Sequence, residues 1–183
     1  MVINMKKSNR NKFSLPAAYT TELSSCGKSV AFIHDSVEVI SLADLSLLRK
    51  IKEIKNPSSA VFSLDLSRIM IKSTAGSIYS FDVLGKSTGD KICESKGGEG
   101  ANILLSPDGA ILVDPTWGGD VFLRNHESKE IVEGMSFPNE MIMSVSRSLS
   151  GDDWLFFHQP QTLEDENFSP PPYLSLWRWP FRS

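Results

Sequence analysis

Apolar and polar residues alternate in short runs along this chain, and turn-forming residues divide the runs at near-regular intervals. Residues 101–125, ANILLSPDGAILVDPTWGGDVFLRN, carry the pattern most plainly. An apolar run at 102–106 meets a turn at Pro107-Asp108-Gly109, and a second run follows at 111–113. Gly118-Gly119-Asp120 then turns the chain into Val121-Phe122-Leu123. Runs of this length with a period of two predict β-strands. Proline presets φ near the value a turn needs and glycine accepts positive φ, so the turns have a mechanism.

The unit recurs. A first copy has runs at 29–33 and 37–41 around Asp35-Ser36, and a second has runs at 60–64, 69–71 and 78–82. A fourth has runs at 141–145, 154–157 and 173–179, with a turn near Ser150-Gly151-Asp152. Val37, Ile78 and Val121 are equivalent positions, 41 and 43 residues apart. Each of the first three units adds a weaker run, at 47–51, 91–94 and 130–133, where charges alternate with apolar residues as on an outer strand. Residues 41–55 can also be written as an amphipathic helix. A turn and a strand are preferred there because the other units place a strand at that point. The charged stretch 49–55 reads as a solvated edge.

Four four-stranded units of about 42 residues resemble the blades of WD-like β-propellers. The best local match is Leu105-Ser106-Pro107-Asp108-Gly109, with Ser63-Leu64-Asp65 a degenerate copy. The Trp-Asp pair of that family is kept only as Phe81-Asp82, and its Gly-His pair is absent from every unit. The resemblance implies an all-β fold of four blades over about 20–57, 58–99, 100–140 and 141–183, after a flexible tail at 1–11. The fourth unit ends after its third strand, so a strand at 12–15 is expected to close the ring. A half-ring completed by a second copy or a partner, and a part of a larger propeller, are the other two readings.

Net charge is −3 with both signs interspersed, which implies no basic face and disfavours nucleic acid as partner. Neither a secretory leader nor a membrane-spanning apolar run is read from the sequence, so a cytoplasmic protein without a membrane partner is expected. The two cysteines, Cys26 and Cys93, lack metal-ligand spacing. They read as thiols in a reducing compartment. No phosphate loop, dinucleotide fingerprint or nucleophile elbow occurs, and no cofactor or metal is expected.

The turns between second and third strands hold the candidate binding residues. They are His34 and Asp35, then Asp114, Trp117 and Asp120, then His158 with the acidic segment Glu164, Asp165 and Glu166. Trp among carboxylates suits a protein interface, since exposed Trp anchors interfaces disproportionately. His34, Asp114 and His158 end equivalent strands and could instead converge as ligands or an acid–base pair. Turn capping accounts for them more simply. The expectation is therefore a non-catalytic scaffold for protein partners, the alternative being a propeller enzyme or small-ligand binder working near the axis.

Overall fold

The computed structural model describes residues 18–85, 88–94, 101–148, 153–161 and 171–178. The tail at 1–11, the closing strand at 12–15, the turn at Ser150-Gly151-Asp152 and the acidic segment Glu164, Asp165 and Glu166 lie outside them.

Fifteen strands and no helix occur among the described residues. They form four antiparallel sheets whose neighbours are consecutive in sequence. The first contains β1 (Thr20–Leu23), β2 (Ser29–Ile33), β3 (Val37–Ser41) and β4 (Leu47–Ile51). The second contains β5 (Pro57–Phe62), β6 (Arg68–Ser73), β7 (Ser77–Asp82) and β8 (Asp90–Glu94). The third contains β9 (Leu104–Leu105), β10 (Ile111–Pro115), β11 (Asp120–Asn125) and β12 (Ile131–Ser136). The fourth contains β13 (Glu140–Arg147), β14 (Asp153–Pro160) and β15 (Tyr173–Arg178). The helical alternative at 41–55 is thereby set aside, because β4 pairs with β3 there.

First strands of all four sheets line one small hollow of about 90 Å³, through Glu22 and Leu23, Val61 and Phe62, Leu104 and Leu105, and Arg147. That hollow marks the inner, axial side of the four sheets, which are the blades of a β-propeller. Successive blades pack face to face. Ala31, Ile33 and Val39 of blade one meet Phe62, Ile69 and Ile71 of blade two. Met70 and Ile78 on the other face of blade two meet Ile103 and Leu112 of blade three. Val113 and Leu123 then meet Val145, Trp154 and Phe156 of blade four. We term the face toward the preceding blade the front and the other the back. Alternate residues of one strand serve the two faces, and each fully buried Ile or Met side chain contributes about 1.5–3 kcal/mol.

A serine closes every first hairpin. Ser24, Ser63, Ser106 and Ser148 each accept, through Oγ, the N–H of the residue five positions on, at 3.0, 2.9, 2.9 and 3.2 Å. In the second and third blades that hydroxyl donates to Asp65 or Asp108, whose carboxylate also accepts the N–H of Ser67 or Ala110. Gly27, Leu66 and Gly109 occupy one equivalent place, all with positive φ. The degenerate copy at Ser63 thus has the same geometry as its better-patterned relative.

Two expectations need correction. The run at 102–106 pairs only over β9, because Asn102 turns its side-chain amide across to blade four, donating to Val145 O (2.7 Å) and accepting from Val145 N–H (3.0 Å). The stretch 49–55 is not wholly a solvated edge. Arg49 is buried, its guanidinium 5.4 Å above the Phe81 ring and hydrogen-bonded to the Asp82 carbonyl. A weakly hydrated, planar cation on an aromatic face explains how a charged residue enters an apolar boundary.

Candidate functional site

The turn at Thr116-Trp117-Gly118-Gly119 links β10 to β11 and has the same design as Ser73-Thr74-Ala75-Gly76 one blade earlier. In each, the hydroxyl accepts the N–H four residues on, from Asp120 (3.1 Å) or Ser77 (3.2 Å), and a glycine with positive φ ends the turn. Gly119 is required here twice over. Its φ is +86°, and a Cβ would lie 2.3 Å from Phe137 O and 2.7 Å from Glu140 O. That close approach lets Phe137 N–H donate to Gly119 O (2.9 Å) and Ile142 N–H to Thr116 O (3.4 Å). Gln161, at the end of β14, completes the attachment by donating to Trp117 O (3.4 Å). Trp117 itself stays 38% exposed on this anchored turn.

Beneath the turn lies a polar relay inside blade four. His158 is wholly buried. Its Nδ1 is 2.7 Å from Glu140 Oε2 and its Nε2 is 2.6 Å from Ser175 Oγ. Trp177 Nε1 donates to the same Ser175 Oγ at 2.9 Å. A carboxylate only accepts, so the imidazole proton belongs on Nδ1, and Nε2 then receives the serine hydroxyl. Tyr173 stacks on the imidazole, with centroids 4.6 Å apart and planes within 1°, and its hydroxyl donates to Glu140. That bond pushes the Tyr173 phenol up to about 12. Phe137 packs edge-on against both His158 and Trp177. Ser175, His158 and Glu140 stand in the order of a hydrolytic triad. Here, however, the serine oxygen is engaged by an indole N–H, and aromatic rings enclose the imidazole.

The remaining candidates fall in separate places. His34 and Asp35 lie on the corresponding turn of blade one. Ser36 Oγ is 3.4 Å from His34 Nε2, Glu38 Oε1 is 3.7 Å away, and the Tyr19 hydroxyl donates to Asp35 (3.0 Å). Asp114 belongs to strand β10 rather than to the turn and has no solvent exposure. Lys72, reaching from blade two and equally buried, donates to its Oδ1 at 2.6 Å and to Pro115 O at 2.7 Å. Arg124 Nε lies 3.5 Å from the other carboxylate oxygen. Asp120 is half-buried and closes the turn through its backbone. His34, Asp114 and His158 therefore serve three networks, and no metal-binding cluster of His, Cys, Asp and Glu occurs among the described residues.

Sequence reasoning missed the acidic and basic groups at the axis. Glu22 projects from β1 into the axial hollow, where burial pushes its carboxyl up to about 7, against the lowering pull of Arg147. Arg147 donates from Nη1 to Leu105 O at 3.0 Å. Position at the end of a first strand, in a unit already aligned, is the signal that would have found both.

No protein-family model matches the chain, and no curated protein matches it in sequence. Its fold is widely shared, with 1121 chains of solved structures alike. One is the structure titled Kuenenia stuttgartiensis Hydrazine Synthase, with a TM-score of 0.72 at 14% identity. The match covers 94% of this chain and 49% of that one, so the chain spans about half the length of this structural relative. At that identity the likeness concerns fold alone. Among the described residues no helix is long and apolar enough to cross a membrane.

Proposed function

We propose that this chain is a non-catalytic, WD-like scaffold that docks a protein partner on the turn face of its third and fourth blades, around Trp117. The observation that carries this reading is the exposure of Trp117 on a turn tied to its surroundings by the Gly119 and Gln161 contacts. A rigid aromatic anchor loses little freedom on binding, so more of its buried area becomes affinity. Tyr173, 41% exposed and held by His158 and Glu140, extends the same face. The His158 relay supports the non-catalytic part, because its serine oxygen is occupied and its imidazole has no exposed edge.

Affinity capture from the native host, with mass spectrometry, tests the reading. Trp117→Ala is expected to release the captured partner by about tenfold or more while leaving the β-sheet circular dichroism unchanged. Neutralising Glu164, Asp165 and Glu166 together is expected to weaken the same partner. If no captured protein responds to Trp117→Ala, the scaffold reading fails.

A second reading is favoured by one observation, the axial Glu22. A carboxyl near neutrality in a hollow, facing an arginine, suits a small-ligand site or an acid–base group. A thermal-shift screen at pH 6 and 8, with Glu22→Gln as control, separates it from the first: ligands of the axis lose their shift in the variant, and partners of Trp117 do not.

A further inference from the structure

Three apolar boundaries join the four blades, and each is built the same way, the back of one blade against the front of the next. The two outermost faces are the same kind of surface, exposed in part. On the front of blade one, register aligns Leu23, Val30, Ile40 and Leu47 across all four strands. Leu23 is 57% and Leu47 55% exposed. On the back of blade four, Leu155 sits beside Leu176 and Phe157 beside Leu174, with Leu174 and Leu176 59% and 67% exposed. Leu155 holds the strand position that Met70 and Val113 hold in blades two and three, where both are fully buried. Val30 holds the position that Ile69 and Leu112 hold on the fronts of those blades, again fully buried there. Apolar faces of this extent on a soluble chain mark surfaces made for a partner.

We propose that these two faces take a second copy of this chain, the back of blade four in one protomer packing on the front of blade one in the other. The contact is then made twice about a two-fold axis and closes a ring of eight blades. Two considerations select this occupant. The missing boundary is specified by the three existing ones, because only a front face matches a back face, and this chain carries one of each. A contact between unlike faces must either close or polymerise, and two copies of a four-blade arc close within the range of about four to eight blades that propellers use. The inference is independent of the Trp117 reading, whose turn lies on another surface.

Light scattering on the purified 183-residue chain at micromolar concentration is expected to give twice the 20.3 kDa of one protomer. Leu176→Arg and Leu47→Arg change exposed positions on the two faces, and each is expected to give a monomer with unchanged circular dichroism. Mixing the two variants restores the double mass, because one unaltered back and one unaltered front remain. Leu174→Arg and Leu23→Arg repeat the test on the same faces if a first variant fails to fold. A monomeric parent chain overturns the proposal and leaves the faces to another polypeptide. So does an open polymer, a single variant that still dimerises, or a mixture that stays monomeric.

Discussion

Lys72 of the second blade and Asp114 of the third, both without solvent exposure, meet at 2.6 Å across the boundary between their sheets. Arg124 approaches the same carboxylate at 3.5 Å from within blade three. One acid therefore balances two bases in an apolar setting, and the three are unequal in what their removal leaves behind. Asp114→Ala strands two buried cations and is expected to cost about 3–5 kcal/mol in urea unfolding. Lys72→Met leaves Asp114 facing Arg124 and is expected to cost clearly less. Equal losses in the two variants would contradict this account.

Glu22 gives the fold a pH dependence of unusual sign. Its folded carboxyl titrates at about 7, above its ordinary value of 4.5, so between those limits the folded state holds the proton more tightly than the unfolded chain. Stability falls as pH rises from 4.5 to 7 and stays at the lower level above. Glu22→Gln is expected to be neutral at pH 4 and stabilising at pH 8 by about 1–2 kcal/mol, after allowance for partial screening by solvent. Thermal melts of both proteins across that range check it.

Ser106→Ala removes a hydroxyl that accepts from Ile111 N–H and donates to Asp108. A loss of about 1–2 kcal/mol is expected, with the same size for Ser63→Ala in the sister turn. The Asp108 carboxyl, held below its usual range first by that hydroxyl and then by Ala110 N–H, should move upward in the variant. Carbon-detected NMR titration of the aspartates reads that shift.

Tyr173 reports on the His158 relay. Its phenol stands at about 12 because it donates to Glu140, so Glu140→Gln is expected to bring it back toward 10, visible by ultraviolet titration. Ser175→Ala keeps the Tyr173–Glu140 bond and is expected to leave that titration in place. A phenol that does not respond to Glu140→Gln would mean the bond is not maintained in solution.

The blades were legible because turn residues recur at a fixed period, and the strands between them alternate on the same beat. Ser24 was less visible, since Cys26 stands where the other turns have Asp65 and Asp108. His158 could be picked out at the end of an apolar strand, but Glu140 and Ser175 could not. Their meeting depends on the register of β13, β14 and β15 and on a bulge between Ile142 and Ser144. Asp114 looked like part of a turn because Pro115 follows it, yet the strand runs on through both residues. One regularity was available and unused. The contacts Ser59–Ile103, Lys72–Asp114, Asn102–Val145, Leu105–Arg147 and Trp117–Gln161 all join residues 42 to 44 apart, one repeat along. Polar residues one period apart are thus natural candidates for bonds between neighbouring blades.

The serines that tie each first hairpin bridge only five residues. Every sheet can consequently organise from contacts near in sequence, before any sheet finds its neighbour, and the search over distant pairings that slows many β-proteins is confined to docking steps between adjacent repeats. In the monomeric Leu176→Arg variant, amide exchange should then reveal a graded molecule, slowest at the Lys72–Asp114 boundary and fastest in the outermost hairpins, opening from its ends inward like an unlaced seam.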